Sequence, residues 1–333
     1  MLPSGRRRFL RDVLALASAG MLSGCGLVVP RAPPQRPTRL FRIGTIVPSG
    51  AEPKNIAGLV EGMRDLGWLQ GQTVVFEHRI ARVNEGLVVR VGELIDLKVD
   101  VIVAAGNEAI RVASSTTGTI PIVMAISNDP VGAGLIASIA RPGGNVTGVT
   151  NLGAQLGAKR LQRLKEVAPG AVRVAVVWDS AVLGRPGIDA ELSAAARALA
   201  VQLDPHPVVG GGQVWQAFDA ATDRGADAIL LLSDALAAGL TSTGYLERVR
   251  VPTLVESDEL ARAGGLLAYG PSVPALFRQS AGYVDKILRG AKPADLPIEQ
   301  PTAFDLVVNL KTARVLGLTV PPSIVTQATT IIQ

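Results

Sequence analysis

From residue 40 onward, short runs of β-branched and apolar residues alternate with stretches of helical periodicity, and the alternation happens twice. Residues 41–47, 73–80, 99–105, 120–126 and 146–150 read as extended segments, with helices over 56–66, 87–97, 108–116 and 132–140 between them. A second series follows, with helices over 155–167, 187–200, 213–224, 243–249 and 273–289. Its strands are 172–178, 201–209, 228–232, 252–255 and 266–269, and the tail resumes with the segments 305–309 and 310–316 and a Pro-rich ending. Strands that alternate with helices form parallel sheets covered on both faces. The composition agrees, with 48% apolar residues but only 4% aromatic, as in Val/Ile/Leu strands under Ala-rich helices. Pro205 and Pro207 put 201–209 at a sheet edge, where missing N–H donors are tolerated.

A chain of 333 residues exceeds one minimal core, and two βα series imply two sheets. The expected fold is α/β, with two doubly wound parallel-sheet lobes joined by a crossover hinge. One lobe is expected to hold residues 40–148 with about 271–296, the other 149–270 with about 297–333. Residues 146–150 and 266–269 are the expected crossings. The halves share little sequence, so the repetition is one of architecture.

The first forty residues read as an address. Arg6, Arg7, Arg8 and Arg11 precede an apolar run over 13–22 and then Leu22-Ser23-Gly24-Cys25. A charged start, a short apolar middle and small residues before a cut make residues 1–24 an expected bacterial export signal. Arg-Arg-x-Phe-Leu resembles a twin-arginine signal. Leu-Ser-Gly-Cys resembles a lipobox, which makes Cys25 the expected lipidation site; acyl chains contribute about 0.8 kcal/mol per buried methylene. Residues 25–39, rich in Pro and Arg, are then an extended tether. The expected location is outside the cytoplasm, periplasmic or cell-surface, anchored to the membrane by lipid.

The formal charge of +5 comes largely from the expected export signal, since setting aside Arg6, Arg7, Arg8, Arg11 and Asp12 leaves 29 basic and 27 acidic residues. No basic run remains, which argues against a nucleic-acid partner. One cysteine allows no intrachain disulfide. His78 and His206 are the only histidines, and no phosphate-binding Gly-x-x-x-x-Gly-Lys loop or His-Glu-x-x-His metal motif is present. The sequence therefore points away from an enzyme, and no metal or cofactor is expected.

Open parallel sheets bind ligands outside the carboxyl ends of their strands. That rule selects Ser49 after the first strand, Asn107 after 99–105, and Ser127, Asn128 and Asp129 after 120–126. In the second series it selects Asp179 and Ser180, then Ser233 and Asp234, then Ser257 and Asp258. Hydroxyls and helix N-terminal N–H groups suit a carboxylate, and an aspartate suits an ammonium, so the set fits a zwitterion. Asp258 is the first candidate for the ammonium, and Tyr269 for an aromatic wall. The competing reading makes Ser127, Asn128, Ser233 and Asp234 helix N-caps, and makes Asp129 a turn former before Pro130.

Three stretches are distinctive: Asn128-Asp129-Pro130-Val131-Gly132-Ala133-Gly134-Leu135, the segment from Arg141 to Val149, and that from Gly290 to Glu299 followed by Phe304 to Ala313. With the order and spacing of the lobes, they resemble the ABC-transporter substrate-binding family that includes tryptophan and tyrosine uptake proteins. The resemblance covers roughly residues 41–332. It implies a class I periplasmic-binding-protein fold, a small-molecule ligand such as an aromatic amino acid, and delivery to ABC permease subunits. Where many relatives carry Gly-Thr, this chain has Gly106-Asn107, an amide in place of a hydroxyl. Alternatives at this point are a ligand-binding accessory of a membrane sensor and an exported enzyme. Sugar-responsive repressors share the bilobal fold, but here the export signal stands where their DNA-binding helices would be.

Overall fold

The computed structural model describes residues 39–48, 53–81, 86–151, 156–180, 188–209, 213–232, 240–241 and 244–333. Residues 39–333 form one compact unit. Cys25, Ser49, Ser233 and Asp234 lie outside the described residues.

The first sheet contains β1 (Phe41–Pro48), β2 (Val74–Ala81), β3 (Val101–Ala105), β4 (Ile122–Ile126) and β5 (Val146–Gly148), in the order β2-β1-β3-β4-β5. All its pairings are parallel. Alternation along a strand sends successive side chains to opposite faces, and here both faces are apolar. Val101, Val103 and Ala105 pack under α1 (Pro53–Asp65) and α8 (Val273–Leu288). Ile102 and Ala104 pack under α2 (Leu87–Asp96) and α3 (Asn107–Thr116). Helix α8 joins this lobe from far along the chain because α1 lets it come close. A Cβ on Gly58 would lie 2.3 Å from the Pro274 carbonyl oxygen, and one on Gly62 2.8 Å from the Arg278 carbonyl oxygen.

The second sheet contains β6 (Arg173–Asp179), β7 (Gln202–Val208), β8 (Ala228–Leu231), β9 (Thr253–Val255), β10 (Leu267–Pro271), β11 (Phe304–Asn309) and β12 (Thr330–Ile332). Its order is β12-β11-β10-β9-β8-β6-β7. The run β7-β6-β8-β9-β10 repeats the strand order of the first lobe, so the repeated architecture holds at the level of topology. The proline-containing β7 is an edge strand, as expected. Helices α4 (Gly157–Val167) and α5 (Ala190–Ala198) cover one face, α6 (Val214–Asp223) and α7 (Asp258–Arg262) the other.

Three differences from the sequence reading stand out, and the first two have physical causes. The second sheet is mixed, because β10 and β11 pair antiparallel. After β10 the chain leaves for α8 in the first lobe, and it re-enters from the opposite end as β11. Residues 132–140, expected to be helical, form turns. There the Asp129 carboxylate takes the Gly132 N–H at 3.0 Å, and Gly134 adopts φ +68°, a conformation that ends helical winding. Residues 244–249 are likewise turns or irregular, and the Pro-rich ending holds α10 (Pro322–Gln327) and β12 after α9 (Leu310–Val315).

The chain crosses between the sheets after β5, between β10 and α8, and again before β11. The third crossing is the return near residue 297 that the expected lobe bounds require. It is hydrogen-bonded to the first: Thr150 N–H donates to Glu299 O at 3.0 Å, and Glu299 N–H to Gly148 O at 3.1 Å. Ser272 N–H donates to Ala303 O, which ties the second crossing to the third.

Candidate functional site

The carboxyl edges of the two sheets face each other. The contact that shows this joins Lys54, in the first turn of α1 beyond β1, to Asp258, which opens α7 beyond β9; the Lys54 Nζ lies 3.2 Å from Asp258 Oδ2. Of the described candidates, Asn107 follows β3, Ser127, Asn128 and Asp129 follow β4, Asp179 and Ser180 stand at the end of β6, Ser257 and Asp258 follow β9, and Tyr269 lies within β10.

On the first lobe the edge is a neutral hydrogen-bond network. Ser127 Oγ donates to Asn107 Oδ1 at 2.8 Å, and both residues are buried. Thr150 Oγ1 and the Asn151 N–H both donate to Ser127 O, at 2.8 and 3.0 Å. Asn151 Nδ2 donates to Asn128 Oδ1 at 2.6 Å. The network therefore joins the ends of β3 and β4 to the first crossing. Neither Ser127 nor Asn128 caps a helix, because turns follow them. Asn151 Oδ1 and Asn55 Oδ1 are buried and take no hydrogen bond, so each is an acceptor facing no donor of the protein.

On the second lobe the edge is charged. Asp179 is buried at the end of β6. Ser180 Oγ donates to Val208 O at 3.0 Å, which fastens β7 to β6. Below Ser257 and Asp258, Glu256 pairs with Arg160 of α4; the two side chains are 5% and 1% exposed. Arg160 Nε also donates to Tyr269 O at 2.8 Å. One guanidinium thus holds the end of β9 to β10 and to α4, the helix that follows the first crossing. The Tyr269 ring stacks on Phe304, with centroids 6.0 Å apart and planes 14° apart. Gly270 lets the strands approach, since a Cβ there would lie 2.5 Å from Glu256 O.

Sequence reasoning did not single out Lys54, Asn55, Asn151 or Arg160. Arg160 carried a readable signal: with Leu164 and Val167 it occupies the i, i+4, i+7 stripe that α4 turns to the core. A cation in that stripe demands a buried partner. Asp258, chosen as an ammonium partner, carries Lys54 and Arg262 on its carboxylate. Asp129 binds the Gly132 N–H of its own turn.

Among the described residues no group of three His, Cys, Asp or Glu side chains is placed to hold a metal ion. No helix among them is long and apolar enough to cross a membrane. A cavity of about 320 Å³ lies at the opposite end of the first lobe from the gap, between Arg39, Phe41, Asp100 and Lys292.

Comparison with known proteins gives a consistent pattern. The family described as "ABC transporter substrate binding protein" matches residues 42–332. A tyrosine-binding protein of Clostridioides difficile (strain R20291) is 22% identical over 267 residues, covering 78% of this chain and 76% of that protein. The crystal structure of an ABC domain in complex with L-Trp from Streptococcus pneumonia superposes with a TM-score of 0.79 at 22% identity, covering 88% of this chain and all of the other. The ligand-free, open structure of CD0873, a substrate-binding protein with adhesive properties from Clostridium difficile, superposes with a TM-score of 0.63 at 20% identity, covering 88% of this chain and 99% of that one.

Proposed function

Because the chain belongs to the ABC transporter substrate-binding protein family, we propose that it captures an amino acid, of the aromatic class, in the gap between its lobes and delivers it to an ABC importer. The observation that carries this reading is the pairing of two unlike edges across the gap. One edge is a neutral array of amides and hydroxyls around Asn107, Ser127, Asn128 and Asn151. The other presents the carboxylates of Asp179 and Asp258 and the Tyr269–Phe304 ring pair. A zwitterion with an aromatic side chain matches that division: amides and hydroxyls for the carboxylate, a carboxylate for the ammonium, stacked rings for the side chain. The relatives that bind tyrosine and L-Trp support the same class.

In this reading Ser49, Ser180, Ser233, Asp234 and Ser257 complete the ligand-facing loops, and no step of covalent chemistry is involved. Residues 1–24 direct export, Cys25 carries the lipid, and 25–39 tether the binding unit to the outer side of the cytoplasmic or outer membrane. One lobe comprises 40–148 with about 271–296, the other 149–270 with about 297–333. Hinge motion at the crossings narrows the gap over the ligand, and tighter binding by the closed form shifts the population toward it. The experiment is a thermal-unfolding titration of the protein with the twenty amino acids. L-tryptophan or L-tyrosine should raise the midpoint in a concentration-dependent way. A flat response to both would refute the ligand class.

A further inference from the structure

Lys54 is the second residue of α1, so its cation sits at the positive end of the helix dipole, where a positive charge is disfavoured. Its side chain is half exposed and has water within reach. It nevertheless turns across the gap to a carboxylate 204 residues away, on the other lobe. That carboxylate is held ready on its own side, because Arg262 places Nε 3.1 Å from both oxygens of Asp258. Asp258 Oδ1 is buried and takes no hydrogen bond, so the carboxylate's pairing rests on its two cations. Ion pairs elsewhere, such as Arg79–Glu93 and Arg278–Asp65, stay within one lobe. Since its two halves ride on different lobes, the Lys54–Asp258 pair exists only while the gap is narrow, and it is lost once the groups part beyond roughly 4 Å.

We propose that Lys54 and Asp258 form an electrostatic clasp across the mouth of the gap, one that forms on closure and slows the escape of bound ligand while leaving its entry nearly unchanged. The inference rests on the binding function above and adds to it two residues that act on retention. Arg262 keeps Asp258 oriented in the open form, so closing has only Lys54 to order. Lys54 is 49% exposed and Asp258 21%. The effect is therefore modest and is weakened by salt. An exposed pair of this kind corresponds to about a two- to five-fold change in rate.

The test uses the full chain with Cys25→Ser and spin labels at Val88→Cys and Val209→Cys, exposed positions on the two lobes. L-tryptophan and L-tyrosine are the ligand probes. Lys54→Gln should shift the ligand-free interlobe distances toward longer values, and added NaCl should do the same to the parent protein but not to the variant. The variant should release bound L-tryptophan about two- to five-fold faster, with an unchanged association rate. In the ligand-free protein, Asp258→Asn should add nothing to the distance shift once Lys54→Gln is present. Unchanged distances and release rates with Lys54→Gln, or additive effects of the two substitutions on the ligand-free distances, would overturn the clasp. If both amino acids bind and Lys54→Gln alters nothing, the binding function stands and the clasp falls. If neither binds while the ligand-free distances shift as stated, the clasp stands and the ligand assignment falls.

Discussion

The two lobes share a five-strand order and oppose each other across one gap, yet they solve the problem of polar groups at a strand edge in opposite ways. The first lobe satisfies Asn107, Ser127, Asn128 and Thr150 with neutral hydrogen bonds. The second buries a full ion pair, Arg160 with Glu256, and hangs β9, β10 and α4 on it. A neutral hydrogen bond contributes about 1 kcal/mol net, and its loss is local. A buried charge stripped of its partner costs several times more, although the intact pair itself adds little over apolar packing. The contrast teaches that a shared topology does not fix where a lobe is fragile. The second lobe should fail at one point, the first at many small ones.

The largest expected effect tests that directly. Arg160→Met removes the buried cation from the Glu256 carboxylate, and should lower unfolding free energy by about 3–5 kcal/mol in urea denaturation. Adding Glu256→Leu should recover most of the loss. An effect no larger than that of a neutral substitution in the first lobe would erase the contrast.

Next in size is a packing change in the first lobe. Gly58→Ala drives a methyl against the Pro274 carbonyl oxygen, where it would stand at 2.3 Å, and should cost about 1–3 kcal/mol by separating α1 from α8. Hydrogen exchange should show faster opening of α8 with the second sheet unaffected.

Ser127→Ala removes the donor to Asn107 Oδ1 and should cost roughly 1 kcal/mol. Ligand affinity should fall with it, because the same network shapes one side of the gap. A loss as large as that of Arg160→Met would mean that the neutral edge is no more forgiving than the charged one.

The smallest effect concerns pH. Burial holds the His78 imidazole below its ordinary value of 6.5; Glu77 opposes this and Arg79 adds to it. Its Nδ1 meets Thr45 Oγ1 at 2.8 Å, and its ring stacks on Phe76. A depressed value means that the unfolded chain takes the proton first. The contribution is full above pH 6.5 and is lost as pH falls toward the folded value. Between pH 7.5 and 5.0 the stability of the protein should decline, and His78→Gln should flatten that decline. An unchanged slope would remove His78 from the first lobe's account.

Much of the fold is legible in the residues, because β-branched runs and apolar helical stripes report burial directly. Pro205 and Pro207 mark β7 as an edge for a chemical reason, the missing N–H. What is not legible depends on partners distant in sequence. Nothing near residue 304 says that β11 enters antiparallel, because that follows from the excursion of α8 into the other lobe. The turns at 132–140 escape periodicity because one carboxylate and a left-handed glycine decide them. At the site, strand-end logic picks out Asn107, Ser127 and Asn128, but it cannot see that Ser127 bonds Asn107 and that Asn151 bonds Asn128. Arg160 shows the opposite limit: its place in an apolar stripe was visible, while its partner, 96 residues on, was not.

The most direct test of the whole account is a crystal structure of the protein grown with L-tryptophan. The account predicts the amino acid between the two sheet edges, with its carboxylate on the Asn107–Ser127–Asn128 side, its ammonium on the side of Asp179 and Asp258, and its ring beside Tyr269. Ligand seated in the depression between Arg39 and Lys292, or a gap filled by the protein's own side chains with L-tryptophan absent, would contradict it.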